Sequence, residues 1–181
     1  MEYVEIIQRN NELLLQLISD ILDLSKIEAG TFEFVESQFE VNQTCLEIVK
    51  TLEAKVQKGV TLLFEQPLSP CYIHSDKNRF TQVITNFINN AIKFTSHGSI
   101  TVGYEIISED RIKIYVRDTG VGIPKEKLGN IFDRFVKLNN FAQGTGLGLS
   151  ICKSIVSQMG GEIGVESIED AGSYFWFTHP L

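Results

Sequence analysis

The stretch Gln82-Val-Ile-Thr-Asn-Phe-Ile-Asn-Asn-Ala-Ile-Lys-Phe-Thr95 admits little besides one helix with two unlike sides. Val83, Ile84, Phe87, Ile88, Ala91 and Ile92 recur at the helical period and make an apolar stripe. Asn86 and Asn90 stand one turn apart, with Lys93 one turn further, on a face beside that stripe. Asparagine is a middling helix former, and a core-packing helix does not need two of them there. An amide oxygen is a hard neutral ligand of the kind magnesium accepts, and an ammonium is a point charge suited to phosphate. The helix therefore reads as core on one side and, on the other, either a metal-bound nucleotide or a plain solvated edge.

Composition narrows the setting. The chain has 181 residues, enough for one main domain and an appendage, and its 43% apolar content supports a real core. No apolar run approaches the roughly 20 residues of a membrane-spanning helix, and the start, Met-Glu-Tyr-Val-Glu, lacks the basic and apolar regions of a secretory leader. A net charge of −7 argues against nucleic acid as a partner. It does not argue against a nucleotide, because a helix N-terminus and two lysines can make a local positive site on an acidic protein. Cys45, Cys71 and Cys152 are odd in number, widely spaced and without zinc spacing, so they read as small buried residues in a reduced compartment.

Residues 3–28 read as a long helix with a coiled-coil-like seam. Ile7, Leu14 and Ile21 repeat at seven, Asn10, Leu17 and Leu24 or their neighbours Asn11, Ile18 and Ser25 fall between them, and Gly30 is placed to stop the helix. Its length is roughly 35–40 Å at 1.5 Å per residue. The seam has no partner helix in this part of the chain and asks for one elsewhere; the alternative is an ordinary amphipathic helix lying on the domain. Thr31–Val41 alternates as a strand, Asn42 is placed to cap a helix running to about Lys58, and Val60–Glu65 and Tyr72–His74 read as short strands. Ser75 or Asp76 caps the central helix, and 100–107 with 111–117 makes a hairpin.

Two glycine clusters follow. Asp118-Thr-Gly-Val-Gly-Ile-Pro124 ends a strand in a carboxylate, and its glycines let the backbone approach a flat ligand. Pro124 is placed to start a helix continuing from Lys125 to Phe135, anchored by Phe132 and Phe135; residues 136–143 have no pattern and read as a mobile loop. Gly144-Thr-Gly-Leu-Gly-Leu-Ser150 opens into a helix over 151–159, which would present unpaired N–H groups to an anion. Its spacing matches neither the Walker loop nor the dinucleotide fingerprint. Glu162–Ser167 and Ser173–Thr178 read as a closing hairpin.

These elements together resemble the ATP-binding domain of two-component sensor histidine kinases, in the ATPase superfamily shared with gyrase, Hsp90 and MutL. Asn86 to Thr95 resembles the N box, Asp118 to Gly122 the first Gly box, Ile131-Phe-Asp-Arg-Phe135 the F box, and Gly144 to Leu149 the second Gly box. The seam, ending Asp23-Leu-Ser-Lys-Ile-Glu-Ala-Gly30, resembles the second helix of the dimerisation and histidine-phosphotransfer hairpin. The resemblance implies an α+β, two-layer sandwich (the Bergerat fold): a mixed sheet with helices on one face, preceded by one long coiled-coil-like helix. It divides the chain into a partial phosphotransfer helix over 1–30 and a catalytic domain over 31–181.

It also implies ATP and Mg²⁺ as ligands and a role for each matching residue. Asn90 would ligate magnesium with Asn86 in support, and Lys93 and Lys137 would reach phosphate; Asn90, Lys93 and Lys137 would be catalytic. Phe94 would line the nucleotide pocket. Asp118 would accept from the adenine amino group, with Gly120, Gly122 and Ile123 bordering the base and Ser173 bonding it through water. Gly144, Thr145, Gly146, Leu147, Gly148 and Leu149 would hold phosphates. The implied partners are the chain's own phosphotransfer hairpin, a response-regulator receiver domain and a second copy in a homodimer. The implied location is a cytoplasmic domain, with an inner-membrane anchor open for the full-length protein.

Hydrolysing relatives place a Glu where this chain has Asn86. An amide cannot take a proton at neutral pH, so the expectation is little ATP hydrolysis and transfer to a positioned nucleophile. The nucleophilic histidine of the family lies on the preceding helix, upstream of Met1, and His74, His97 and His179 read as incidental surface residues. Kinase activity would thus belong to the full-length protein, and the alternative is a nucleotide-gated interaction module of the same fold. A hydrolysing ATPase is disfavoured by Asn86 and Lys93, and a serine kinase acting on sigma-factor regulation by the F box and the long seam.

Overall fold

A computed structural model describes residues 2–65, 69–136 and 145–181. Helix α1 spans Glu2–Glu28 and ends in a Schellman turn: Thr31 N–H donates to Lys26 O, Gly30 N–H to Ile27 O, and Gly30 takes φ +65°. Strand β1 is Ser37–Glu40, helix α2 Val41–Glu53, strand β2 Val60–Glu65, strand β3 Tyr72–Ser75, and helix α3 Lys77–Phe94. Strands β4 (Gly98–Ser108) and β5 (Arg111–Asp118) follow, then a 3-10 turn at Lys125–Lys127, helix α4 (Gly148–Gln158), and strands β6 (Ile163–Ile168) and β7 (Gly172–Pro180).

Five strands form one sheet in the order β2-β4-β5-β7-β6; β2 and β4 are parallel and the other neighbours antiparallel. A separate antiparallel pair joins β1 and β3. This is the expected mixed-sheet α+β fold, with α2, α3 and α4 on one face. The alternation along each strand decides which face is covered. Ile100, Val102 and Tyr104 of β4, Ile112, Ile114 and Val116 of β5, and Phe175 and Phe177 of β7 are buried. Against them α3 lays Phe80, Val83, Ile84, Phe87, Ile88 and Ala91. Phe80 meets Phe39 and Phe177 edge-on at 5.3 and 5.5 Å, and Phe87 meets Phe175 at 5.4 Å. On the outer face the rings of Tyr115 and Trp176 lie over Gly103 and Gly164 of the adjacent strands, where a Cβ would collide with them.

Four expectations need correction. The strand expected over Thr31–Val41 pairs only at Ser37–Glu40; Phe32 is buried without strand pairing, under the Arg79 guanidinium at 4.1 Å. Glu40, not Asn42, caps α2, because its carboxylate accepts from the Asn42 and Gln43 N–H groups, and α2 ends at Glu53 rather than Lys58. The helix expected over Lys125–Phe135 is one 3-10 turn followed by irregular turns, since Gly129 and Asn130 interrupt it. Ile131 is the buried anchor there; Phe132 is half-buried and Phe135 is exposed at φ +62°. His179 is buried, not a surface residue, because it continues the inward alternation of Phe175 and Phe177. The three cysteines are buried as expected.

Candidate functional site

The polar side of α3, the end of β5 and the start of α4 enclose one cleft of about 470 Å³. Asn86, Asn90, Lys93 and Phe94 reach it from α3, and Asp118, Gly122 and Ile123 from β5 and the loop after it. Ser173 comes from β7, and Thr145, Gly146, Gly148 and Leu149 from the entry to α4. Gly120 and Leu147 do not line the cleft. The Gly120 N–H holds Asp118, and the Leu147 side chain is fully buried in the core. Lys137 and Gly144 lie outside the described residues, as does nearly all of the segment 136–143 expected to be a mobile loop.

At one end two amides are joined. Asn90 Nδ2 donates to Asn86 Oδ1 at 3.2 Å, which leaves the Asn90 carbonyl oxygen out of that bond. The Asn86 amide presses on Gly148, where a Cβ would overlap it. Lys93 Nζ stands 4.9 Å from the Phe94 ring centroid. Among the described residues no group of three His, Cys, Asp or Glu side chains could hold a metal ion. A donor set of neutral amide oxygens suits magnesium that also binds phosphate oxygens.

At the other end Asp118 continues the inward alternation of Ile112, Ile114 and Val116, so the strand period itself buries a carboxylate at the edge of the core. Burial pushes its pKa up; N–H donation from Gly120 and Ser173 and the nearby Thr95 hydroxyl oppose the rise. Asp118 Oδ1 accepts from Gly120 N–H at 2.8 Å. The Thr95 hydroxyl is buried and has no partner of full hydrogen-bonding geometry. A buried carboxylate beside an unsatisfied hydroxyl fits a ligand with a donor amino group and a ring acceptor, as adenine has. Gly122, at φ +65°, abuts the Ile168 carbonyl, and Ile123 N–H donates to Ser167 Oγ at 2.8 Å. Gly172 abuts the Asp118 carbonyl. The closing hairpin therefore braces the first glycine loop through Ser167 and Gly172, neither of which the motifs singled out.

Between these ends α4 begins at Gly148, three residues earlier than its apolar pattern suggests, with Leu147 as an N-cap without side-chain capping. Gly148 and Leu149 of its first turn line the cleft, so the positive end of the helix borders it. Gly146, at φ +73°, accepts from Phe135 N–H at 2.8 Å, which ties the F box to the second Gly box.

The other wall comes from α1. Leu13, Gln16 and Asp20 line the cleft. Asp20 Oδ2 accepts from Thr145 Oγ1 at 2.7 Å, and Asp23 faces Arg79 at 3.4 Å and Gln82 at 2.9 Å. A signal for these was present. Gln16, Asp20 and Asp23 stand at helical spacing on α1, as do Asn78, Gln82, Asn86 and Asn90 on α3.

Residues 75–181 match the family described as histidine kinase-, DNA gyrase B- and HSP90-like ATPase. The chain belongs to that family. Hybrid signal transduction histidine kinase B of Dictyostelium discoideum is 38% identical over 99% of this chain and 10% of its own length. Full-length ShkA, solved in complex with AMPPNP, superposes with a TM-score of 0.86 at 28% identity, over 99% of this chain and 38% of that one. The catalytic domain of histidine kinase ThkA gives 0.71 at 32% identity, over 81% of this chain and 97% of that one. ThkA in complex with response regulator protein TrrA gives 0.77 at 27% identity, over 99% of this chain and 51% of that one. The curated relatives are much longer than this chain, which spans at most about 28% of those that match best. The chain thus carries an ATP-binding catalytic domain of the histidine kinase type, with α1 ahead of it. No helix among the described residues is long and apolar enough to cross a membrane.

Proposed function

We propose that this chain binds Mg·ATP in the cleft between α3 and α4 and, in the full-length protein, transfers the terminal phosphoryl group to a histidine of a phosphotransfer hairpin whose second helix is α1. The observation that carries the reading is the convergence of three chemistries on one cavity: paired amides with a lysine, a helix N-terminus, and a buried carboxylate. Residues 1–30 would be the helix of that hairpin and 31–181 the catalytic unit. The partners would be a second copy of the chain and a receiver domain, as the ThkA–TrrA complex illustrates for a relative.

Asn90, supported by Asn86, would hold magnesium, which neutralises charge on the phosphates. Lys93 and the N–H groups at Thr145–Leu149 would fix the phosphate oxygens. Lys137 would add a second cation there. Asp118 would accept from the adenine amino group and so select adenine over guanine, whose carbonyl at that position would face a carboxylate. Phe94, Gly122 and Ile123 would border the base and keep water out. Asn86 supplies no general base, so water would be a poor acceptor and positioning would dominate the chemistry.

The test has two parts. Calorimetry with ATP and GTP in the presence of Mg²⁺ should show adenine-selective binding with slow phosphate release. Mixing the chain with a separate histidine-bearing hairpin and labelled ATP should place acid-labile, base-stable label on the hairpin. Absence of binding, or fast steady hydrolysis, would overturn the reading.

A further inference from the structure

The contact between Asp20 and Thr145 joins the long helix to the cradle at the start of α4. Asp20 is 4% exposed, yet it belongs to a helix whose outer face is open: Leu14, Leu15, Ile18 and Ile21 are all exposed. Both of its oxygens are engaged. Oδ1 accepts from Gln16 Nε2 at 2.7 Å and Oδ2 from Thr145 Oγ1 at 2.7 Å. The same Thr145 oxygen accepts from Leu147 N–H at 3.1 Å, so the carboxylate is wired through one hydroxyl to the backbone where α4 begins. Its charge is felt further in: the buried Cys152 thiol is pushed up first by burial and then by Asp20.

We propose that Asp20 is an anionic latch that competes with the phosphates of the nucleotide for the α4 cradle, so that Mg·ATP binding releases α1 and a docked α1 weakens Mg·ATP binding. This rests on the reading of the cradle as a phosphate site. A helix N-terminus with a hydroxyl beside it attracts an anion, and in this structure a carboxylate of the chain itself fills that role. A phosphate arriving in the same cleft finds the hydroxyl taken and a like charge buried beside it, and both effects oppose joint occupancy. Two other bridges from α1 among the described residues lie away from the cradle. Asp23 pairs with Arg79 and Gln82, and Glu28 pairs with Arg134. Losing the Asp20 contact therefore frees the middle of α1 while its C-terminal end stays tethered. By linkage, the factor by which nucleotide weakens docking equals the factor by which docking weakens nucleotide.

Asp20→Asn keeps the size and a hydrogen-bonding oxygen and removes the charge. Calorimetry with Mg·ATP on wild type and Asp20→Asn should show the variant binding about fivefold tighter or more, the low end of ordinary coupling. Spin labels at the exposed positions of Leu15 on α1 and Lys153 on α4 should move apart when Mg·ATP saturates the wild type. In Asp20→Asn they should already be spread before nucleotide is added. Equal or weaker binding by the variant overturns the latch, and so does an unchanged label distance in nucleotide-saturated wild type. If neither protein binds Mg·ATP, the nucleotide reading of the cleft fails and the latch falls with it.

Discussion

The Asn86 amide and the Cα of Gly148 are in such close contact that no Cβ fits between them. This contact sets the distance between the paired amides of α3 and the first turn of α4. Gly148 does not need a positive φ, so alanine there is acceptable to the backbone and should strengthen the helix by about 1 kcal/mol. The overlap instead falls on Asn86, which must swing off its bond with Asn90. Gly148→Ala should therefore lower Mg·ATP affinity about tenfold, the loss expected for one charge-assisted contact, while the thermal midpoint stays level or rises. Calorimetry and melting curves run side by side separate the two effects; unchanged affinity would show that the Asn86 orientation is immaterial.

Asp118 is buried with its pKa raised, and this sets a sign. Between the ordinary carboxylate pKa and its raised value, the native state holds more protons than the unfolded chain, so ionising Asp118 lowers stability as pH rises through that window. Asp118→Asn should remove this slope and leave the protein as stable as wild type at neutral pH or more so. The same change should cost adenine nucleotide binding about tenfold or more, because the amide can present a donor to the adenine amino group. Denaturant melts across the acid range and nucleotide titrations on both proteins would show it; intact ATP selectivity in the variant would refute the role.

Much of this site was legible because period and chemistry disagree at the residues concerned. Asn86 and Asn90 sit on a helix face that needs no amides, and Asp118 sits where β5 asks for an apolar side chain. His179 carries the same kind of signal on β7 and was misread as a surface residue, because the inward alternation of that strand was not followed to its end. The cap of α2 was misplaced by two residues, since Glu40 and Asn42 both carry suitable side-chain oxygens and only tertiary packing chooses between them. The helix expected after Pro124 fails for a local reason, Gly129-Asn130. The α1 wall was legible only as a polar face of Gln16, Asp20 and Asp23 at helical spacing. The seam pattern correctly marks Ile7, Leu14 and Ile21 as an unfilled face, but nothing local says that Asp20 and Asp23 point at α4 and α3.

Arg79 holds two parts of the molecule together. It faces the buried Asp23 carboxylate, donates to Gln82 at 2.8 Å and covers the Phe32 ring. Arg79→Ala removes a cation from a carboxylate that is 8% exposed. An unsatisfied buried acceptor costs about 1–3 kcal/mol, more if charged, and α1 can escape that cost by leaving the domain. The expected outcome is faster amide exchange along residues 13–28 with little change in the core strands. Uniformly faster exchange throughout the domain would show that Arg79 supports the core instead.

His179 gives the acid limb of stability. Burial lowers its pKa below the ordinary 6.5, against the Pro180 carbonyl, which it contacts through Nδ1 and which favours the charged ring. Its ring meets Phe80 edge-on at 6.3 Å, at the far end of the core from Asp118. Arg111 opposes protonation and Glu36 favours it. Between the lowered native value and 6.5 the unfolded chain binds more protons than the native protein, so stability rises with pH across that window and falls as the solution is acidified through it. His179→Leu keeps apolar contact with Phe80 and cannot charge. The difference in unfolding free energy between wild type and variant should therefore shift in favour of the variant on going from about pH 7.5 to about pH 5. Taking the difference cancels the acid groups common to both proteins, so a pH-independent gap would mean that His179 titrates alike in the folded and unfolded chains.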